Sequence, residues 1–228
     1  MKKFTKILSI VMAMALCVGI GVGATLAWLT DTADQVVNTF SPADLIDPTP
    51  DPKDPDHKAG FDIWEHEAHR KDDGTYELLK ADSKLEADLV KASSYTVVPN
   101  NPLLKDPFVR VKTQEAGYVF LEVCGKLPET MIWSVDANEW EPLEKNGEAV
   151  LGEHGGKMYA YKSIVTPETG ALDINILTGA VINVTKDFQP ASLEKDTLLT
   201  FWGYATQSTG FKTAQAAWDA TFGAPKAA

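Results

Sequence analysis

Cysteine is nearly absent from this chain. Of 228 residues only Cys17 and Cys124 carry a thiol, and Cys17 lies inside an N-terminal apolar run. If that run is removed, Cys124 is alone, so no intramolecular disulfide can brace the remainder. The fold must therefore be held by its core, and Cys124, within Tyr118-Val-Phe-Leu-Glu-Val-Cys124, reads as a buried small hydrophobe rather than a nucleophile. Positive charge is also scarce: 21 Lys and Arg face 32 Asp and Glu, a formal net charge of −11. Nucleic-acid affinity comes largely from Lys and Arg on phosphate, so nucleic acid is excluded as an expected partner.

Catalytic signatures are missing as well. There is no G-x-S-x-G elbow to present a serine nucleophile. Gly152-Glu-His-Gly155-Gly156-Lys157 lacks the spacing of a phosphate-binding loop, because Met158 follows the lysine, and reads instead as a hairpin turn. The D-x-[DN]-x-[DN]-G pattern of a calcium loop does not occur among the many aspartates. The richest ligand cluster is Trp64-Glu-His66-Glu67-Ala-His69-Arg70, but its histidines stand three residues apart, not the four that place two imidazoles on one helical face for zinc. His66, Glu67 and His69 are thus weak metal candidates on a polar, solvated segment. No cofactor and no catalytic residue is assigned. Asn183-Val-Thr185 is a glycosylation sequon, meaningful only in a host that uses it.

What the sequence does have begins at its N-terminus. Met1 to Lys6 is basic, and Ile7 to Val22 is apolar without a charge. Thr25 and Ala27 are small residues at the −3 and −1 positions of a cleavage site, so residues 1–27 read as a secretory signal with Trp28 as the new N-terminus. An uncleaved anchor is the competing reading, since about 20 apolar residues span a bilayer. Cleavage removes Lys2, Lys3 and Lys6 and no acid, taking the formal charge from −11 to −14. Membrane contact is then expected only through the signal, before it is cut.

Residues 28–40 read as a short apolar strand. Residues 41–58, SPADLIDPTPDPKDPDHK, alternate proline with aspartate and read as an extended, solvated connector. From residue 59 to 228, β-branched and aromatic runs recur between turn signals: Phe61 to Trp64, Thr75 to Leu79, Tyr95 to Val98, Phe108 to Val111, Tyr118 to Val123, Met158 to Tyr161, Ala180 to Val184 and Leu198 to Tyr204. Asp73-Gly74, Asn146-Gly147 and Gly155-Gly156 punctuate them. This pattern predicts an all-β sandwich or barrel. Two segments compete as helices, Ala81 to Ala92 and Thr213 to Phe222, the second with Thr213 as cap and Ala214, Ala217, Trp218 and Phe222 on one face.

The junction Gly23-Ala-Thr25-Leu-Ala27-Trp28-Leu29-Thr30-Asp31-Thr32, followed by Asn38-Thr39-Phe40, resembles that of the TasA and camelysin (CalY) family, whose signal is removed by a SipW-type peptidase. Lys105-Asp106-Pro107-Phe108-Val-Arg-Val111, Tyr118 to Val123, and Tyr204-Ala-Thr-Gln207 with Gly210-Phe211 and Ala217-Trp218 resemble later blocks of the same family. The acidic proline connector, Asn100 in place of a usual Gly, and the His66 to His69 segment depart from it. The resemblance implies a jelly-roll β-sandwich secreted to the extracellular matrix or cell surface, self-associating into biofilm fibres by donor-strand complementation. Trp28, Leu29, Val36, Val37 and Phe40 would be the anchors of a detached donor strand, and an 18-residue connector at about 3.1 Å per residue reaches roughly 55 Å. The camelysin branch also carries a metalloendopeptidase label, which is the alternative function. The tail, Gly223 to Ala228, has no LPxTG motif, so covalent wall anchoring is not expected.

Overall fold

A computed structural model describes residues 30–33, 50–51, 54–58, 60–78, 89–125, 127–193 and 199–223. In chain order the strands are β1 (Thr30–Ala33), β2 (Pro50–Asp51), β3 (Asp54–Lys58), β4 (Phe61–His66), β5 (Ala68–Arg70), β6 (Tyr76–Leu78), β7 (Leu89–Val90), β8 (Leu103–Leu104) and β9 (Phe108–Val111). They continue with β10 (Gly117–Gly125), β11 (Met131–Ile132), β12 (Trp140–Pro142), β13 (Glu144–Lys145), β14 (Glu148–Ala149), β15 (Lys157–Tyr161), β16 (Leu172–Asn175), β17 (Val181–Val184) and β18 (Leu199–Gln207). Helix α1 (Ala214–Thr221) follows. The fold is all-β, as the alternation predicts.

Two sheets dominate, one in the order β1-β18-β10-β15-β12 and one in the order β16-β9-β4-β7, both antiparallel throughout. A third, β11-β17-β8, is linked to β16's end of the second by the Val135–Leu177 bridge. The nine residues of β10 explain why the layers meet. Val119, Leu121 and Val123 face a core shared with Phe61, Val109, Val111 and Ile174 of the other sheet. Tyr118 and Phe120 face the opposite way, into a second apolar cluster closed by Ala214, Ala217 and Trp218 of α1. A strand covered on both faces needs a near-continuous apolar run, which Tyr118 to Val123 supplies with one exception, Glu122. Each fully buried Phe or Leu in such a layer stabilises by about 1.5–3 kcal/mol.

Gly203 is a point of close approach between the layers, since a Cβ there would sit 3.1 Å from the Phe61 ring. Helix α1 forms as expected: Thr213 Oγ1 accepts from the Ala216 amide at 3.1 Å, capping the first turn. At the tip of β13 and β14, Asn146 and Gly147 take φ of 57° and 81°, the two positive values a type I′ hairpin turn demands.

Four expectations are corrected. The N-terminal strand is not detached: Thr30–Ala33 pairs antiparallel with β18, Thr30 opposite Thr206 and Ala33 opposite Gly203. Part of the connector is not simply extended, because β2 and β3 pair with each other, Pro50 opposite Lys58. Such folding back shortens the reach of the 41–58 segment. Of the Ala81 to Ala92 helix, Leu89 and Val90 lie instead in β7 against Glu65 and His66, while residues 81–88 fall outside the described residues. Tyr95 to Val98 is not a strand; the Tyr76 hydroxyl takes the ladder's place, accepting from the Thr96 amide at 2.8 Å and donating to its carbonyl at 3.2 Å.

Candidate functional site

Two features stand out, a strand edge and a buried carboxylate. At the edge, β1 forms the outer strand of the five-stranded sheet, and its partner β18 is held on the other side by all nine residues of β10. β18 carries the residues the sequence marks in its closing aromatic run. Ala205 and, partly, Leu199 and Phe201 join the inner core, while Tyr204 and Trp202 join the outer cluster. Trp218 of α1 stands edge-on to Tyr204 at 5.4 Å, which fixes the ring. β18 is thus a supported strand that presents one edge to β1.

Between β18 and the Gly152–Gly156 loop lies Glu122, fully buried. Strand alternation aims it at the outer face beside Phe120, opposite Trp202 on β18 and Met158 on β15. Its Oε2 accepts from the Tyr204 hydroxyl at 2.6 Å and from His154 Nδ1 at 3.0 Å. Its Oε1 accepts from the amides of His154 and Gly156, each at 2.8 Å. An ionised carboxylate only accepts, so His154 must carry its proton on Nδ1. The His154 ring stacks on Trp202, centroids 3.8 Å apart and 6° from parallel.

Burial pushes the Glu122 carboxyl up, but the hydrogen bonds from Tyr204, His154 and the two amides outweigh it and hold the group below its ordinary value. The Tyr204 hydroxyl is driven far upward, by burial first and then by donating to Glu122. Cys124 Sγ lies 3.5 Å from Glu122 Oε1, and burial, then the Glu122 charge, pushes its thiol up to about 11. A thiol so protonated is a poor nucleophile. The loop fits only because of its glycines: a Cβ at Gly152 would lie 2.3 Å from Glu122 Cδ, and one at Gly156 2.5 Å from Cys124 Sγ.

The His66 to His69 segment is arranged differently. His66 ends β4 and bonds Asp106 Oδ2 through Nδ1 at 2.7 Å, while Asp106 Oδ1 accepts the His66 amide at 3.0 Å. His69 lies on β5 in another sheet and pairs with Glu67 at 3.4 Å on the surface. The three metal candidates are therefore not brought to one point. Next to them Glu65 and Lys105 form a buried ion pair at 2.5 Å, and Glu65 Oε1 has no hydrogen-bond partner. Burial, and then the Glu65 charge, raises the nearby Tyr95 hydroxyl.

Among the described residues no group of three or more His, Cys, Asp or Glu is placed to hold a metal ion, and no helix is long and apolar enough to cross a membrane. Thr25, Ala27, Trp28, Leu29, Val36, Val37 and Phe40 lie outside the described residues. Sequence reasoning passed over Glu122, His154 and Tyr204 as a unit; the available signal was one acid inside an otherwise apolar strand. Comparison with protein-family models, curated proteins and solved structures finds no match.

Proposed function

We propose that this chain is an exported structural protein of the bacterial extracellular matrix or cell surface, a jelly-roll-like β-sandwich that assembles into fibres by donor-strand exchange. In this reading a SipW-type peptidase releases it ahead of Trp28, and residues 28–40 then act as the transferable strand. The observation that supports it is the pairing of β1 along β18. A strand joined to its sheet on one side only is retained by few ladder bonds, each worth about 0.5–1.5 kcal/mol net. The same segment of a second copy would make the same bonds, so exchange costs little beyond bringing two chains together, and head-to-tail exchange extends without closing. A single copy completes its own sheet, and a fibre shares the completion.

The test compares the chain starting at Trp28 with one starting at Ala59, using light scattering and electron microscopy. Filaments from the longer chain and monomers from the shorter are expected. A shorter chain that still polymerises, or a longer chain monomeric at every concentration and pH, overturns the proposal. Stoichiometric zinc with chelator-sensitive cleavage of casein would instead favour the metallopeptidase.

A further inference from the structure

We propose that Glu122 is an acid-released latch: ionised, it ties the Gly152–Gly156 loop to the outer face of β10 and β18, and protonated, it lets the loop go and loosens the Tyr204 side of β18. The geometry carries this. Tyr204 from β18, His154 Nδ1 and two loop amides all donate to one carboxylate that is fully buried. The other titratable groups around it are Cys124 on its own strand and Glu153 in the loop, whose charge also reaches Tyr204. β15 places only the apolar Met158 opposite it.

Protonation turns one oxygen from acceptor into donor. Whichever oxygen takes the proton becomes a weaker acceptor, and at least one of the two donors aimed at it then faces a hydrogen and must turn away or accept from it. The loop then lifts, and the His154–Trp202 stack opens. The loosening extends to β18, because Tyr204 is the register partner of Thr32 in β1. Since the folded carboxyl lies below its ordinary value, the latch is fully engaged above that value and is lost as the pH falls through the lowered one. Its further consequence, that acid eases strand exchange, rests on the donor-strand reading.

The experiment is a pH titration of the mature chain by amide NMR of His154 and Gly156, with Trp202 fluorescence identified by difference against W202F. Wild type should show one transition of loop and indole below pH 4.5, the ordinary glutamate value. Glu122→Gln should lose that transition and show the open loop already near neutral pH; an unchanged transition in E122Q overturns the latch. If E122Q does not fold, Tyr204→Phe serves, because removing a donor from the anion must move the midpoint upward, and an unmoved midpoint overturns the latch equally. For exchange, E122Q should associate faster than wild type near neutral pH. Equal rates despite an open loop overturn the regulation, whereas a wild type that never associates overturns the donor-strand reading and leaves the amide titration to decide the latch.

Discussion

Among the described residues two places set a histidine against a carboxylate, and they have opposite characters. At Glu122 the acid is fully buried and its partners come from two separate parts of the chain, the loop residues 154 and 156 and the strand residue 204. At His66 to His69 the acids and imidazoles are sequence neighbours, yet His69 and Glu67 stay about half exposed and His66 turns away to Asp106. Proximity along a strand separates side chains, while register between strands collects them. A buried carboxylate with complete hydrogen bonding is costly to disturb, and a solvated pair is nearly free to lose.

Mutations that probe this contrast should fall in a definite order. Glu122→Ala strips the acceptor from a buried hydroxyl and two amides and should cost about 3–5 kcal/mol in denaturant unfolding near neutral pH. That difference from wild type should shrink in acid, as Glu122 itself becomes neutral. Tyr204→Phe removes one donor to a charged acceptor and should cost about 1.5–3 kcal/mol by the same measurement. His66→Ala, which takes one partner from the partly buried Asp106, should cost about 1 kcal/mol. His69→Ala should stay within about 0.5 kcal/mol in thermal unfolding. Should His69→Ala cost as much as Tyr204→Phe, the two sites are not of different kinds.

Much of the layered fold was legible because its signals are local. Phe108 to Val111 is a strand as predicted, the Tyr118 to Val123 run extends only to Gly117–Gly125, and Thr213 caps its helix. The failures have a physical pattern. Tyr95 to Val98 has the composition of a strand, but a tyrosine hydroxyl from 20 residues away satisfies its backbone, and no local pattern encodes that substitution. Leu89 and Val90 fit a helical period and a strand equally well, and tertiary pairing with β4 decided it. The Gly152 to Lys157 stretch was readable as a turn, but its purpose was not, since a carboxylate more than two dozen residues earlier explains why two glycines are needed there. The metal candidates drew attention through composition alone, and composition does not say which sheet a residue joins.

The pairing of β1 with β18 also orders events in time. β1 is the earliest described strand and β18 the last, with Thr30 opposite Thr206, so this ladder closes across nearly the whole chain. Contacts between chain ends bear the largest loop-closure entropy and form late in folding. A chain made from its N-terminus exposes β1 first and must finish β10 and β18 before that strand has anywhere to dock. Throughout that interval β1 is an unmatched strand whose ladder partner does not yet exist.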